Sequence, residues 1–385
     1  MKTSIKIYLA GALFGLACFS ACREGDDAAI PPTVTPVAPG EEGEVKGFFL
    51  LNEGNMGSNK ASLDYFDQGS GEYSLNIFPT RNPGVVKGLG DVGNDLQIYG
   101  GKLYAVVNCS HLVEVMDAGT ARHVATISIP NCRYIAFDGG HAYVSSYAGA
   151  VEVDPNARRG YVARLDTLSL AVTDTCAVGY QPEEMVVRDG KLYVANSGGY
   201  RVPDYDNTVS VVDLASFKET RRIVVGINLH RLRLDNHGNI YATSRGDYKG
   251  VHSTTYIIGP NDLVTKNLQL PASNVALRGD SLYVISAEWS NLTSRNTVSY
   301  AIVNTRTQSI VSRGFITDGT ERGIAVPYGL AVHPATGDIY VTDAKDYVTP
   351  GTLYCFSPDG KKKWEVTTGD VPAHIAFTRK KLSDL

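Results

Sequence analysis

From Gly47 onward the chain alternates short apolar runs with polar turns, and one run returns in nearly the same form. A turn residue, a variable residue, an aliphatic, an aromatic and a small or β-branched residue follow one another at Gly101-Lys102-Leu103-Tyr104-Ala105, Gly140-His141-Ala142-Tyr143-Val144 and Gly190-Lys191-Leu192-Tyr193-Val194. They do so again at Gly238-Asn239-Ile240-Tyr241-Ala242, Asp280-Ser281-Leu282-Tyr283-Val284 and Gly337-Asp338-Ile339-Tyr340-Val341, and Gly47-Phe48-Phe49-Leu50-Leu51 is a seventh copy with Phe49 in the tyrosine place. The aromatics at 49, 104, 143, 193, 241, 283 and 340 are spaced by about 48 residues. A turn followed by β-branched and aromatic residues predicts a strand, and a period of this length has room for four.

The other strands are also readable. One precedes every phrase except the first: Asp95-Leu96-Gln97-Ile98, Tyr134-Ile135-Ala136-Phe137, Glu184-Met185-Val186-Val187, Arg231-Leu232-Arg233-Leu234, Asn274-Val275-Ala276-Leu277 and Gly329-Leu330-Ala331-Val332. A spare copy, His374-Ile375-Ala376-Phe377, stands at the far end of the chain. A third strand follows each phrase and often ends in Asp, as in Leu112-Val113-Glu114-Val115-Met116-Asp117 and Val209-Ser210-Val211-Val212-Asp213, where the carboxylate suits a hairpin turn better than catalysis. The sequence therefore predicts an all-β fold, a seven-bladed β-propeller with four-stranded blades, whose ring is closed when the C-terminal strand joins the N-terminal blade. Closure removes the open edges that a linear array would expose.

The first 45 residues follow neither pattern. Lys2 and Lys6 precede an apolar run, Ile7 to Phe19, that ends in Ser20-Ala21-Cys22 and then Arg23-Glu24-Gly25-Asp26-Asp27. A basic start, a short apolar stretch and small residues at its end make a secretory signal. Pro31, Pro32, Pro36 and Pro39 then mark residues 23 to 45 as a Pro-rich tether, spanning up to ~70 Å at ~3.1 Å per residue. The expected organisation is a lipoprotein signal peptide at 1–21, a lipidated cysteine and tether at 22–45, and the propeller at 46–385.

Charge narrows the partners. With 36 basic and 40 acidic residues the net charge is -4, so no basic excess draws the chain to nucleic acid. No His-x-x-x-His spacing, Gly-x-Ser-x-Gly elbow or phosphate loop stands out, so the sequence predicts no catalytic residue, no metal ligand and no cofactor. Asp95, Glu184, Asn274, His230 and His374 have two readings near the axis: metal-holding side chains, as in propeller hydrolases, or polar residues that only line a water-filled channel. Cys109 and Cys132 are expected on one face of neighbouring blades, where export would permit a disulfide.

That face is where binding should concentrate, because the loops entering the inner strands and leaving the tyrosine strands both open onto it. The candidate contacts at the entries are Arg133, Tyr134, Glu184, His230, Arg231, Tyr328 and His374, with Asn94, Asp95, Glu183, Ser273 and Asn274 beside them. At the exits they are Tyr147, Tyr200, Arg201, Tyr205, Tyr248, Trp289 and Tyr347, with Asn52, Glu53, Asn55, His111, His252 and Lys345. Tyr147, Tyr200, Tyr248, Trp289 and Tyr347 are expected to rim the site. Tyr and Trp offer large contact area at low entropic cost and keep a polar edge, which suits a broad amphipathic ligand.

Three resemblances sharpen these expectations. Ser20-Ala21-Cys22 resembles the lipobox of bacterial lipoproteins, with Phe19 in place of the usual Leu, Cys22 as the lipidated residue and Cys18 as a weaker competitor; the acidic residues after Cys22 resemble the surface-export signal of Bacteroidetes lipoproteins. The stretch from Pro182-Glu183-Glu184-Met185 through Gly190-Lys191-Leu192-Tyr193-Val194-Ala195-Asn196 to Val209-Ser210-Val211-Val212-Asp213 resembles the YncE or YVTN propeller repeat, a likeness covering about residues 46 to 382. Together with the tether and Leu51-Asn52-Glu53-Gly54-Asn55, it is similar to the BtuG-type cobalamin-capture lipoproteins of Bacteroidetes. That resemblance implies a non-enzymatic, lipid-anchored protein on the outer membrane surface, with cobalamin or another corrinoid as ligand and a BtuB-like TonB-dependent transporter as partner. A surface propeller for glycan, protein or another small ligand, and a metal-dependent lactonase-like hydrolase, are the alternatives.

Overall fold

The computed structural model describes residues 31–86 and 88–383, so the stretch read as a signal peptide and Cys22 lie outside the described residues. Seven antiparallel sheets follow one another around an axis. Blade two shows the plan: Gly93–Tyr99 is innermost, then Lys102–Val107, Leu112–Asp117 and, outermost, His123–Ser128. The second strands carry the tyrosine phrase and are buried almost throughout, because both of their faces meet neighbouring blades. Such strands read as continuous apolar runs instead of alternating ones.

The recurring aromatic has one job. Phe49, Tyr104, Tyr143, Tyr193, Tyr241, Tyr283 and Tyr340 each pack in a different apolar cluster, and there is one such cluster for each of the seven blade interfaces. The Asp ending the third strand caps its turn as expected: Asp117 accepts the Gly119 N–H, Asp166 those of Leu168 and Ser169, and Asp213 that of Ser216.

The ring closes through Pro372–Thr378, which pairs with Gly47–Asn52 so that Phe377 faces Phe48 and Ile375 faces Leu50. Phe48 also meets Tyr340 of blade seven at 4.9 Å between ring centroids, so closure is sealed by side chains as well as by backbone.

Three features depart from the sequence reading. Part of the stretch read as tether is a fifth strand: Thr33–Pro36 pairs with Glu72–Leu75 at the outer edge of blade one, and the Val37 and Ala38 N–H groups bond to Gly71 O. An outermost strand leaves a row of unpaired backbone groups, and an extended Thr-Val-Thr segment ending in proline is a compatible edge partner. A short helix, Ile77–Arg81, buries Ile77 and Phe78 between blades one and two. Finally, Ser281–Ser290 and Arg295–Asn304 of blade six are ten residues long, where the corresponding strands elsewhere have five to seven, and the extra length extends roughly 10 Å beyond the exit-loop face.

The disulfide that export would permit between Cys109 and Cys132 is not formed. Cys109, Cys132, Cys176 and Cys355 are free thiols. Cys132 points into the apolar cluster between blades two and three, whereas Cys109 turns away in the exit loop beside Asn108. Burial pushes the Cys132 thiol up to about 12.

Candidate functional site

The inner strands carry a recurrent irregularity at their upper ends. Pro182 pairs with Asn196 and Met185 with Val194, so Glu183 and Glu184 on the inner strand oppose the single residue Ala195 on its neighbour. The same shift lies between Leu229 and Leu232, between Cys132 and Ile135, and between Pro327 and Leu330. A bulge re-aims side chains and breaks strict alternation. It places consecutive residues, Arg133 with Tyr134, Glu183 with Glu184 and His230 with Arg231, in one polar layer above the apolar interfaces.

This layer floors a cavity of about 410 Å³, within the range of small-molecule sites. Of the candidate contacts, Arg133, Tyr134, His230, Arg231, Tyr248, Trp289, Tyr328 and Tyr347 line it. An adjoining cleft of about 250 Å³ shares Glu53, Val92, Arg133, Tyr328 and Tyr347, and adds Tyr200, Met56 and Cys109.

Glu183 is the hub of one side. Arg133 approaches its Oε2 at 3.1 Å, Arg245 its Oε1 at 3.1 Å, and the Tyr147 hydroxyl donates to Oε1 at 2.5 Å. Burial alone would raise this carboxyl, but the two guanidiniums override it and hold it at about 2. The Tyr134 ring lies between cations, 5.8 Å from Arg133 and 5.1 Å from Arg231, distances at which cation–π attraction operates. Its hydroxyl shares a 2.8 Å hydrogen bond with His230 Nε2. Burial, followed by the charges of Arg245, Arg231 and Arg133, pushes His230 well below its usual range, so its imidazole is neutral. Burial raises Tyr134 to about 12, so the phenol keeps its proton.

The opposite side belongs to blades seven and one. Tyr328 donates to Glu53 Oε2 at 2.8 Å, and His374 lies 3.5 Å from Glu53 and 3.7 Å from Asp95. Burial raises Asp95, against the opposing effect of His374. Above the floor, Trp289 is 41% and Tyr347 40% exposed, while Tyr248 is half-buried. Tyr248 and Tyr347 both have left-handed backbone, φ 60° and 64°, which is rare for bulky residues and recurs where function holds it in place.

Several predicted contacts are placed elsewhere. Tyr147 is only 3% exposed and supports the Glu183 hub from beneath, so it is no part of the rim. Glu184 belongs to the floor layer but does not line the cavity, being bonded to the Leu232 N–H and paired with Arg233 and Arg231. His374 is half-buried between Glu53 and Asp95 and is not among the residues lining the cavity. Arg201 stacks on Tyr180 at 3.8 Å and donates to Asp204 O, so with Tyr205 it builds the blade-four loop and does not line the cavity. The five side chains considered for a metal also do not assemble. Glu184 is spent on arginines, Asn274 bonds Tyr328 O and the Val275 N–H, and no group of three or more His, Cys, Asp or Glu among the described residues could hold an ion.

Arg245 is the principal residue that sequence reasoning missed. It stands directly after the second strand of blade five, Ile240–Ser244, a position equivalent to other exit residues, and a basic side chain there was the available signal. Glu288 was missed as well. It accepts the Ser253 N–H at 2.7 Å and ties the long blade-six hairpin to the exit loop of blade five.

Solved structures with similar architecture include a quinonprotein alcohol dehydrogenase-like protein from Bacteroides thetaiotaomicron, at 15% identity and TM-score 0.58, covering 88% of this chain and 79% of that one. Hydrazine synthase of Kuenenia stuttgartiensis is similar at 16% identity and TM-score 0.55, covering 69% and 77%. The WD40 domain of Neurospora crassa Pan2 has 9% identity and TM-score 0.50, covering 74% and 79%. At these identities the likeness is one of fold alone, since propellers host many unrelated activities. No curated protein matches the chain. A family model described as a domain of unknown function, DUF5074, matches residues 46–375, and the chain belongs to that family.

Proposed function

We propose that this protein is a non-enzymatic capture lipoprotein. Anchored through Cys22 on the outer face of the outer membrane, it holds a corrinoid across the mouth of the upper cavity and passes it to a TonB-dependent transporter. The observation that carries this reading is the combination of an exposed aromatic rim with a polar floor whose Glu183 and Tyr134 groups are paired internally. Trp289 and Tyr347 present flat apolar surface at the mouth, whereas Glu183, Tyr147, Tyr134 and His230 are engaged with one another below. A corrinoid is far larger than 410 Å³, so it would lie over the rim and send only a peripheral group inward. Burying ~400 Å² of apolar ligand surface at ~25 cal/mol per Å² offers roughly 10 kcal/mol before association costs, enough for tight capture.

Calorimetry of the purified mature chain with cyanocobalamin should show one saturable site, and the red ligand should remain with the protein through desalting. Folded protein that gives no heat and no retained colour would remove the corrinoid. Binding of an oligosaccharide in its place would favour a glycan-capture propeller. The anchor has its own test, because Cys22→Ala should abolish metabolic palmitate labelling. Label persisting in that variant would place the lipid elsewhere.

A further inference from the structure

The cavity is electrically lopsided. On the side of blades three to five, four guanidiniums, those of Arg133, Arg231, Arg233 and Arg245, meet two carboxylates, Glu183 and Glu184. Glu53 and Glu288 line the other side, which belongs to blades one and six. Asp95, the remaining acid near Arg231, is committed to the Leu96 and Ile135 N–H groups and to His374. The neutral His230 adds no charge to that cluster of arginines.

Arg231 itself is incompletely used. It lines the cavity and is only 4% exposed, yet its Nε–H has no acceptor among the described residues, and its nearest carboxylate oxygen, on Glu184, is 3.5 Å away. Arg133, by contrast, directs both Nε and a terminal nitrogen at Glu183. Buried donors are nearly always partnered, so an arginine that lines a cavity and whose buried Nε–H lacks an acceptor has hydrogen-bonding capacity left unmet within the described residues. A guanidinium is a planar fork that matches the oxygens of a carboxylate or phosphate, and a charge-assisted bond formed there is little screened by water.

We propose that the blade-three-to-five side of the cavity is an oxyanion subsite, in which Arg231, flanked by Arg245, receives a phosphate ester or carboxylate carried by the ligand. The inference rests on reading this cavity as the ligand site, and it narrows the ligand class to molecules that join an anionic group to a broad apolar body. The aromatic rim would take the body, and the cationic wall the charge.

The probes are inorganic phosphate and acetate, titrated into the mature chain carrying ¹⁵N-labelled arginine. One Arg Nε–H resonance, identified by its loss in Arg231→Lys, should shift saturably. Arg231→Gln should weaken phosphate binding at least tenfold, Arg231→Lys less, and Arg313→Gln on the remote outer side of blade six not at all. A stronger response to phosphate identifies a phosphate ester, and one to acetate a carboxylate. If Arg231→Gln does not fold, the titration of the parent decides alone, and an unmoved Arg231 resonance overturns the subsite. The two readings fail separately. Cyanocobalamin binding that is indifferent to phosphate and to Arg231→Lys would overturn the subsite and leave capture standing. A phosphate-responsive Arg231 in a protein that ignores cyanocobalamin would do the reverse.

Discussion

Glu183 is a carboxylate removed almost wholly from water, tolerable only because Arg133, Arg245 and the Tyr147 hydroxyl share its two oxygens. Its folded-state value, about 2 against an ordinary 4.5, lies below that of the unfolded chain. The stabilisation it brings is therefore full above about pH 4.5 and is lost as pH falls toward 2, an effect of roughly 3 kcal/mol. Asp95, raised by burial, acts in the opposite sense, so the measurement is the difference between parent and variant. Urea denaturation from pH 7 to pH 3 should show Glu183→Gln starting several kcal/mol lower and losing less as pH falls. A variant with the parental acid limb would assign the acid sensitivity to another carboxylate. Tyr147→Phe, which leaves one acceptor short of a donor, should cost about 1–3 kcal/mol. The sequence placed this tyrosine at a loop tip, where such a change would be silent, because an exit-loop position does not reveal that its ring turns inward.

Each blade is an element whose order along the chain was readable because each interface demands the same residue at the same place. The aromatic of the second strand must fill the gap to the next blade, so it recurs seven times, and the orphan strand at 374–377 declared the closure. The bulges were not readable, since one extra residue in an inner strand leaves no mark in an apolar run, yet they decide that Glu183 and Glu184 share a layer. Nor was the docking of Thr33–Pro36, which depends on an unpaired edge that only the folded blade provides. These two strands differ in what they hold. Deleting residues 371–385 should remove the buried Pro372–Thr378 strand, expose blades one and seven, and lower stability by several kcal/mol or abolish soluble expression. Deleting the fully exposed Thr33–Pro36 should cost about 1 kcal/mol or less. Equal melting losses for the two deletions would mean that closure contributes no more than an edge strand.

At the scale of the whole molecule, the ring separates two duties that share one face. The floor is held by contacts between blades, Arg133 of blade three and Arg245 of blade five meeting on Glu183 of blade four, so altering it should alter the scaffold. The rim hangs from loops and from the overlong blade-six hairpin, and its exposed rings contact other rim and loop residues, Tyr347 packing on Tyr328 and Trp289 bonding Asn291. If the rim is what holds the ligand, replacing Trp289 and Tyr347 together by Ala should weaken binding by at least ~2 kcal/mol, as the loss of aromatic anchors usually does. The same pair should change the unfolding free energy by only ~0.5 kcal/mol, because both are large exposed side chains and Ala meets the left-handed backbone at position 347 no worse than Tyr. Tyr147→Ala should behave oppositely, lowering the melting temperature before it touches affinity in the fraction that remains folded. Paired titrations and thermal melts on these variants read both quantities from the same samples. Affinity unchanged by the loss of Trp289 and Tyr347, in a parent that binds, would move the ligand off this face.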